Sequence, residues 1–529
     1  MQQNLRNPHL KPGMKGNSSP TNHVMLATCW LAAGVILCGL FMTGQLLPVR
    51  LTICVLAAAS VFAIASLQIT ALSIMTRLYI LLYILPFAAN LGYLFDRHFV
   101  WWQTPTNILL CQNHTLINEM LTMVLVGLCG LMTGIEWVAM SACQRLQTNS
   151  RSTADIPGYC TVMPLPVFGI LLYLAYLCSW IYAPEESIFT AAYASADAGG
   201  GMYKDVGMNS SYLVSYLLLM LLIVDAEREA PRSSRRMLKL MSTLLVTAYI
   251  VVVLQLLRGD RECAGLLAAL VMLYITSPSM EAARGRIQRG LVQFSRTLKI
   301  FVPLAVCVAA FIAMGSLRHS ASQKSSEFSG VWNTLVEGAT QNTWTAVALN
   351  NLGLCADYNY KTITYLYGQT YVDYFLSLPP GSITMALGYE RPLESRESNP
   401  SMWYHGLIAA GGMHPAVVPF RNFGIVGVLI ILILEGAFIC FCETYNENGT
   451  LASRLLYGSI ATSCMLWFWY GDMNFIRTVM MWWIVYVMHY LTAFRPFRGY
   501  ERPRVRPSSG QASRPTIGQT RNKPATALT

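Results

Sequence analysis

Charge is scarce in this chain. Acidic and basic side chains make up 12% of its 529 residues, against roughly 25% in soluble domains, and the mean hydropathy is +0.43. That balance excludes a water-soluble globular body. Metal-ligand spacing is missing as well: none of the 14 cysteines falls in paired CxxC motifs, and most sit in apolar stretches, where a thiol behaves as a small apolar side chain. There is no GxxxxGKS, no strand-borne GxGxxG and no DxD, so neither nucleotide-driven chemistry nor a metal-held diphosphate has a supporting motif. No fixed-period repeat is visible, and the two halves differ in connector length, which weakens the inverted-repeat pattern of many secondary transporters.

What is present is hydrophobic length. Twelve windows are apolar enough to cross a hydrocarbon core, at 25–47, 51–71, 77–95, 117–140, 162–183, 209–225, 238–257, 262–277, 299–315, 422–442, 455–471 and 477–494. They predict an all-α, polytopic helix bundle of about 12 transmembrane helices. The chain divides into residues 1–23, a disordered cytoplasmic N-terminus; 24–315, helices 1–9; 316–421, a large helical extracytoplasmic loop; 422–494, helices 10–12; and 495–529, a disordered basic tail. Most of the 37 Lys and Arg residues fall on the side that holds both termini, which makes that side cytoplasmic and the large loop external. The net charge of +11 is thus mostly topology, and no nucleic-acid partner is implied. Cys111 and Cys355 lie in external connectors, either paired or as two free thiols.

The large loop concentrates the residues able to carry chemistry. Short inner connectors leave no room for a nucleotide-binding domain, so an external reaction needs a substrate that arrives already activated. Leu257–Cys263 forms a tight external turn whose Arg258 and Arg261 stand at headgroup depth, against the usual charge bias. Forked guanidiniums there suit a diphosphate, and lipid-facing arginines balanced by Asp260 and Glu262 are the plainer alternative. Arg421, at the mouth of the tenth span, and Arg477, after Asp472 in the turn between the last two, complete a candidate diphosphate cluster. Tyr389, Trp403 and Tyr404 are candidate sugar-stacking rings. The aromatic run over 358–375 reads as one face of an amphipathic helix lying on the membrane. His414, and more weakly His405, are candidate bases for an acceptor hydroxyl, with Glu390, Asp373 and Asp357 as others.

Tyr365-Leu-Tyr-Gly368-Gln-Thr-Tyr371, followed by Leu378-Pro-Pro380, resembles the loop of bacterial O-antigen and oligosaccharide repeat-unit polymerases of the Wzy type. Arg258-Gly-Asp-Arg261 resembles their arginine turn, and His414 with Asn422-Phe-Gly424-Ile-Val-Gly427 is similar to a pattern shared with the related O-antigen ligases. Pro415 and a shortened spacing to Gly424 depart from the ligase form. The resemblance implies an inner-membrane, metal-independent glycosyltransferase without cofactor, which moves a growing glycan from undecaprenyl diphosphate onto the next lipid-linked repeat unit. It further implies that Arg258 and Arg261 bind the lipid diphosphate, that His414 and Arg421 face the reacting sugars, and that membrane lipids and a chain-length regulator are partners. A ligase, a transporter or flippase of lipid-linked oligosaccharide, and a scaffold for an export machine stay open as alternatives.

Overall fold

The computed structural model describes residues 20–69, 74–89, 114–148, 352, 355, 365–376, 387–388, 413–446 and 451–493. Their regular structure is helical: α1 (Pro20–Met42), α2 (Val49–Ile69), α3 (Ile74–Ala89), α4 (His114–Thr148), α5 (Gln369–Leu376), α6 (Val417–Asn446), α7 (Leu451–Tyr470) and α8 (Asp472–Ala493). Helices are the local solution because a segment in lipid has to satisfy every N–H and C=O within itself. Four stretches are long and apolar enough to cross a membrane, namely Pro20–Met42, Val49–Ser66, Thr115–Ser141 and Val417–Asn446. The chain is therefore a helical protein with the composition of a membrane bundle. The windows expected between 162 and 315, the tail 495–529 and most of the loop 316–421 lie outside the described residues.

Several boundaries shift by a few residues from those expected, and two of the shifts bear on the site. Helix α1 starts at Pro20, inside the stretch expected to be disordered, because proline suits a first helical turn and His23 is buried against Glu136, its Nδ1 2.6 Å from Oε2. Helix α6 starts at Val417, so Arg421 lies inside a helix where the sequence places it at a helix mouth.

Helices α4 and α6 form the centre of the bundle. Gly130 of α4 meets Leu429 of α6, and Gly134 meets Ile433 and Ala437, with backbones in contact. Helix α1 runs antiparallel to both helices, with His23 beside Glu136, Gly34 between Cys129 and Leu429, and Phe41 on Phe420, so α4 and α6 run parallel. A Cβ at Gly130 would stand 2.6 Å from the Leu429 carbonyl oxygen, and one at Gly134 would overlap the Ile433 carbonyl. Helix α3 runs antiparallel to α6: its first N–H groups, from Met75 and Thr76, donate to the Glu443 carboxylate, while Tyr83 packs on His414 near its other end. A carboxylate there satisfies orphan N–H donors and complements the helix dipole.

Candidate functional site

Helix α6 is broken where it begins. Gly424 adopts φ 66° and ψ −159°, a conformation open to glycine and strained for other residues. In an unbroken helix the carbonyls of Arg421 and Asn422 would bond the N–H groups of residues 425 and 426. Here they accept from the loop: Leu366 N–H donates to Arg421 O (3.2 Å) and Tyr367 N–H to Asn422 O (3.0 Å). The Asn422 side chain completes the joint. Its Oδ1 accepts from Gly368 N–H (3.1 Å) and Thr370 N–H (3.3 Å), capping α5 from outside, and its Nδ2 donates to Val418 O (2.9 Å). Phe423 stacks on Tyr371 at 6.3 Å between ring centroids. The Tyr365–Tyr371 and Asn422–Gly427 strings, separate in sequence, thus meet along one seam.

Short α5 carries polar residues inward and apolar residues outward. Thr370, Asp373 and Tyr374 are buried, whereas Val372, Phe375 and Leu376 are exposed, as are Tyr365 and Tyr367 beside them. Within the aromatic run expected to be amphipathic from 358 to 375, the described helix covers the last part.

Arg421 is wholly buried under this seam. His414, also wholly buried, caps α6: Ala416 N–H donates to its Nδ1 (3.2 Å), its carbonyl accepts from Val417 N–H (2.9 Å), and Nε2 approaches Tyr83 O at 3.4 Å. With Nδ1 accepting, the ring proton belongs on Nε2, and the lone pair a base would use is engaged. Burial lowers the His414 pKa to about 3, so the ring is neutral. Arg477 is half-buried on α8, one turn beyond Asp472. Arg258, Arg261, Tyr389, Trp403, Tyr404 and His405 lie outside the described residues. Cys355 is a buried thiol that donates to the Val417 carbonyl at 3.8 Å.

A second cluster links four helices below the seam. Tyr371 of α5 donates to Asp472 Oδ2 of α8 (2.7 Å), and Trp467 Nε1 of α7 donates to Glu435 Oε2 of α6 (3.0 Å). The Glu435 and Asp472 carboxyls lie within hydrogen-bonding reach of each other. In the sequence Glu435 lies within the apolar window 422–442, and Asp472 lies five residues before Arg477. Their proximity follows from the approach of the start of α8 to α6, where Phe438 packs edge-on against Phe475 at 5.8 Å between centroids, and no spacing encodes it. The one signal in the sequence is an acid inside a lipid-length segment, which is costly and implies a partner. Among the described residues, no group of three or more His, Cys, Asp or Glu has the arrangement of a metal site. Comparison with protein-family models, curated proteins and solved structures gives no match for this chain.

Proposed function

We propose that the chain is an integral-membrane glycosyltransferase of the polymerising kind. It transfers a growing glycan from undecaprenyl diphosphate to the next lipid-linked repeat unit on the external, periplasmic face of a bacterial inner membrane. The observation that carries this reading is the seam: the loop string and the helix string that resemble repeat-unit polymerases are joined by Asn422 over a buried Arg421. A buried arginine in an apolar bundle is costly to keep, and such residues mark substrate paths. A guanidinium at the reacting end stabilises the charge that grows on a departing diphosphate. Arg258, Arg261 and Arg477 would add to that field, and Tyr389, Trp403 and Tyr404 would hold sugars from the loop. Diphosphate leaves readily, so positioning and charge stabilisation supply most of the acceleration.

Purified protein in bilayer discs, given one lipid-linked repeat unit, should produce a ladder of longer glycans. Arg421→Ala should slow that ladder by roughly 10²-fold, the usual loss of one preorganised donor to developing charge. A folded Arg421→Ala protein with an unchanged ladder would remove the arginine from the reaction. The buried Glu435–Asp472 pair favours a second reading, a proton-linked transporter of lipid-linked sugars, since paired acids inside a bundle serve proton relays. In that case the same preparation makes no ladder, yet carries lipid-linked sugar across vesicle membranes.

A further inference from the structure

Asp472 opens α8, wholly buried, and receives the Tyr371 hydroxyl on Oδ2. Ionised carboxylates are acceptors only, so two of them in hydrogen-bonding reach need a proton between them. Placing that proton on Glu435 satisfies the whole chain. Trp467 donates to Glu435, Glu435 donates to Asp472, and Tyr371 donates to Asp472 Oδ2, which leaves one negative charge on Asp472. A further buried phenol, Tyr374, lies in the field of Asp472, and its hydroxyl has no hydrogen-bond partner among the described residues. Among the described residues, Tyr79 and Tyr83 of α3 also lie in the field of Glu435, as phenols whose hydroxyls are engaged with the Ile460 and Val124 carbonyls. Of the chain's members, Tyr371 is the half-exposed one, at the seam beside Phe423 and exposed Tyr365 and Tyr367.

We propose that Glu435 and Asp472 hold one shared proton and that Tyr371, backed by Asp472, takes the proton of the attacking sugar hydroxyl. The step rests on the transferase reading. The acceptor oxygen forms a bond to the donor's anomeric carbon as the bond from that carbon to the diphosphate breaks, and the bonding pair leaves with the lipid diphosphate. The hydroxyl proton passes to the Tyr371 oxygen while the Tyr371 proton moves to Asp472 Oδ2, so the phenol is restored and the carboxylate is protonated. Burial raises Asp472 from its ordinary value to about 6, a base strength suited to neutral pH.

The ladder assay, run across pH with wild type, Tyr371→Phe, Asp472→Asn and Glu435→Gln, tests the relay. Tyr371→Phe keeps the ring on Phe423 and should lower kcat roughly 10²–10⁴-fold, the usual contribution of a positioned base, with KM for the lipid-linked unit unchanged. Wild-type rate should fall as pH drops through about 6, because the base must be ionised, and Asp472→Asn should abolish that limb. A Tyr371→Phe protein with wild-type kcat and pH profile would overturn the relay even if Asp472→Asn fails to fold. Absence of a ladder in wild type would defeat the transferase reading and the relay together. The shared proton has its own readout: infrared difference spectra at neutral pH should lose a protonated-carboxyl band in Glu435→Gln, and retention of the full band would refute it.

Discussion

His414 is neutral because its charged form would be buried without solvent. The sign of its linkage follows. The unfolded imidazole takes a proton below its ordinary 6.5, the folded one resists until about 3, and the difference favours unfolding as pH falls between those values. Stability should thus decline by up to about 1.4 kcal/mol per pH unit through that window. His414→Asn, which retains a capping acceptor, should flatten the decline in thermal unfolding curves recorded against pH. An equally steep acid limb in the variant would place the titrating group elsewhere. The same geometry ranks the two residues at the start of α6. Arg421→Ala should depress turnover per folded molecule more than His414→Asn does, because the histidine's free nitrogen is spent on the cap.

At the scale of elements, α5 is held to α6 chiefly by Asn422, whose side chain makes three hydrogen bonds. Asn422→Ala leaves the N–H groups of half-buried Gly368 and buried Thr370 without that acceptor, at about 1–3 kcal/mol for the buried one. Hydrogen exchange over residues 366–374 should rise several-fold while exchange in α4 stays unchanged. Uniform acceleration in both would mean that α5 is no separate unit. The contact of α4 with α6 is less forgiving, since Gly134 faces backbone and has no flexible side chain to displace. Gly134→Val should cost at least about 1–3 kcal/mol of overpacking and reduce the yield of folded protein. Gly39, with open space where its Cβ would be, is the control: Gly39→Ala should be tolerated. Periodicity makes each of these helices legible from sequence, but the break at Gly424 is not. An apolar run that contains glycine reads the same whether it is straight or interrupted.

For the whole molecule, direction of travel is the useful quantity. Helices α4 and α6 run parallel, and both are long enough to span. If both cross, the chain between them crosses an odd number of times, which agrees with the five windows expected between 162 and 315. Cysteines introduced at Thr115, in the first turn of α4, and at Met413, just ahead of α6, should therefore react with an impermeant thiol reagent from the same side. Labelling from opposite sides would require an even number of crossings and would move the large loop's two ends to different faces.

Composition alone determined that this chain lives in lipid and folds as helices. The hydrocarbon core demands long apolar segments with internally satisfied backbones, and both demands are visible residue by residue. The strings Tyr365–Tyr371 and Asn422–Gly427 were equally legible, as was the exceptional Arg421. What tertiary structure alone decided is who meets whom: that broken-helix carbonyls receive the loop, that His414 spends its lone pair on a cap, and that Glu435 finds Asp472. Such pairings arise from helix crossings between segments distant in sequence, where close packing and the cost of an unsatisfied buried group choose the partner.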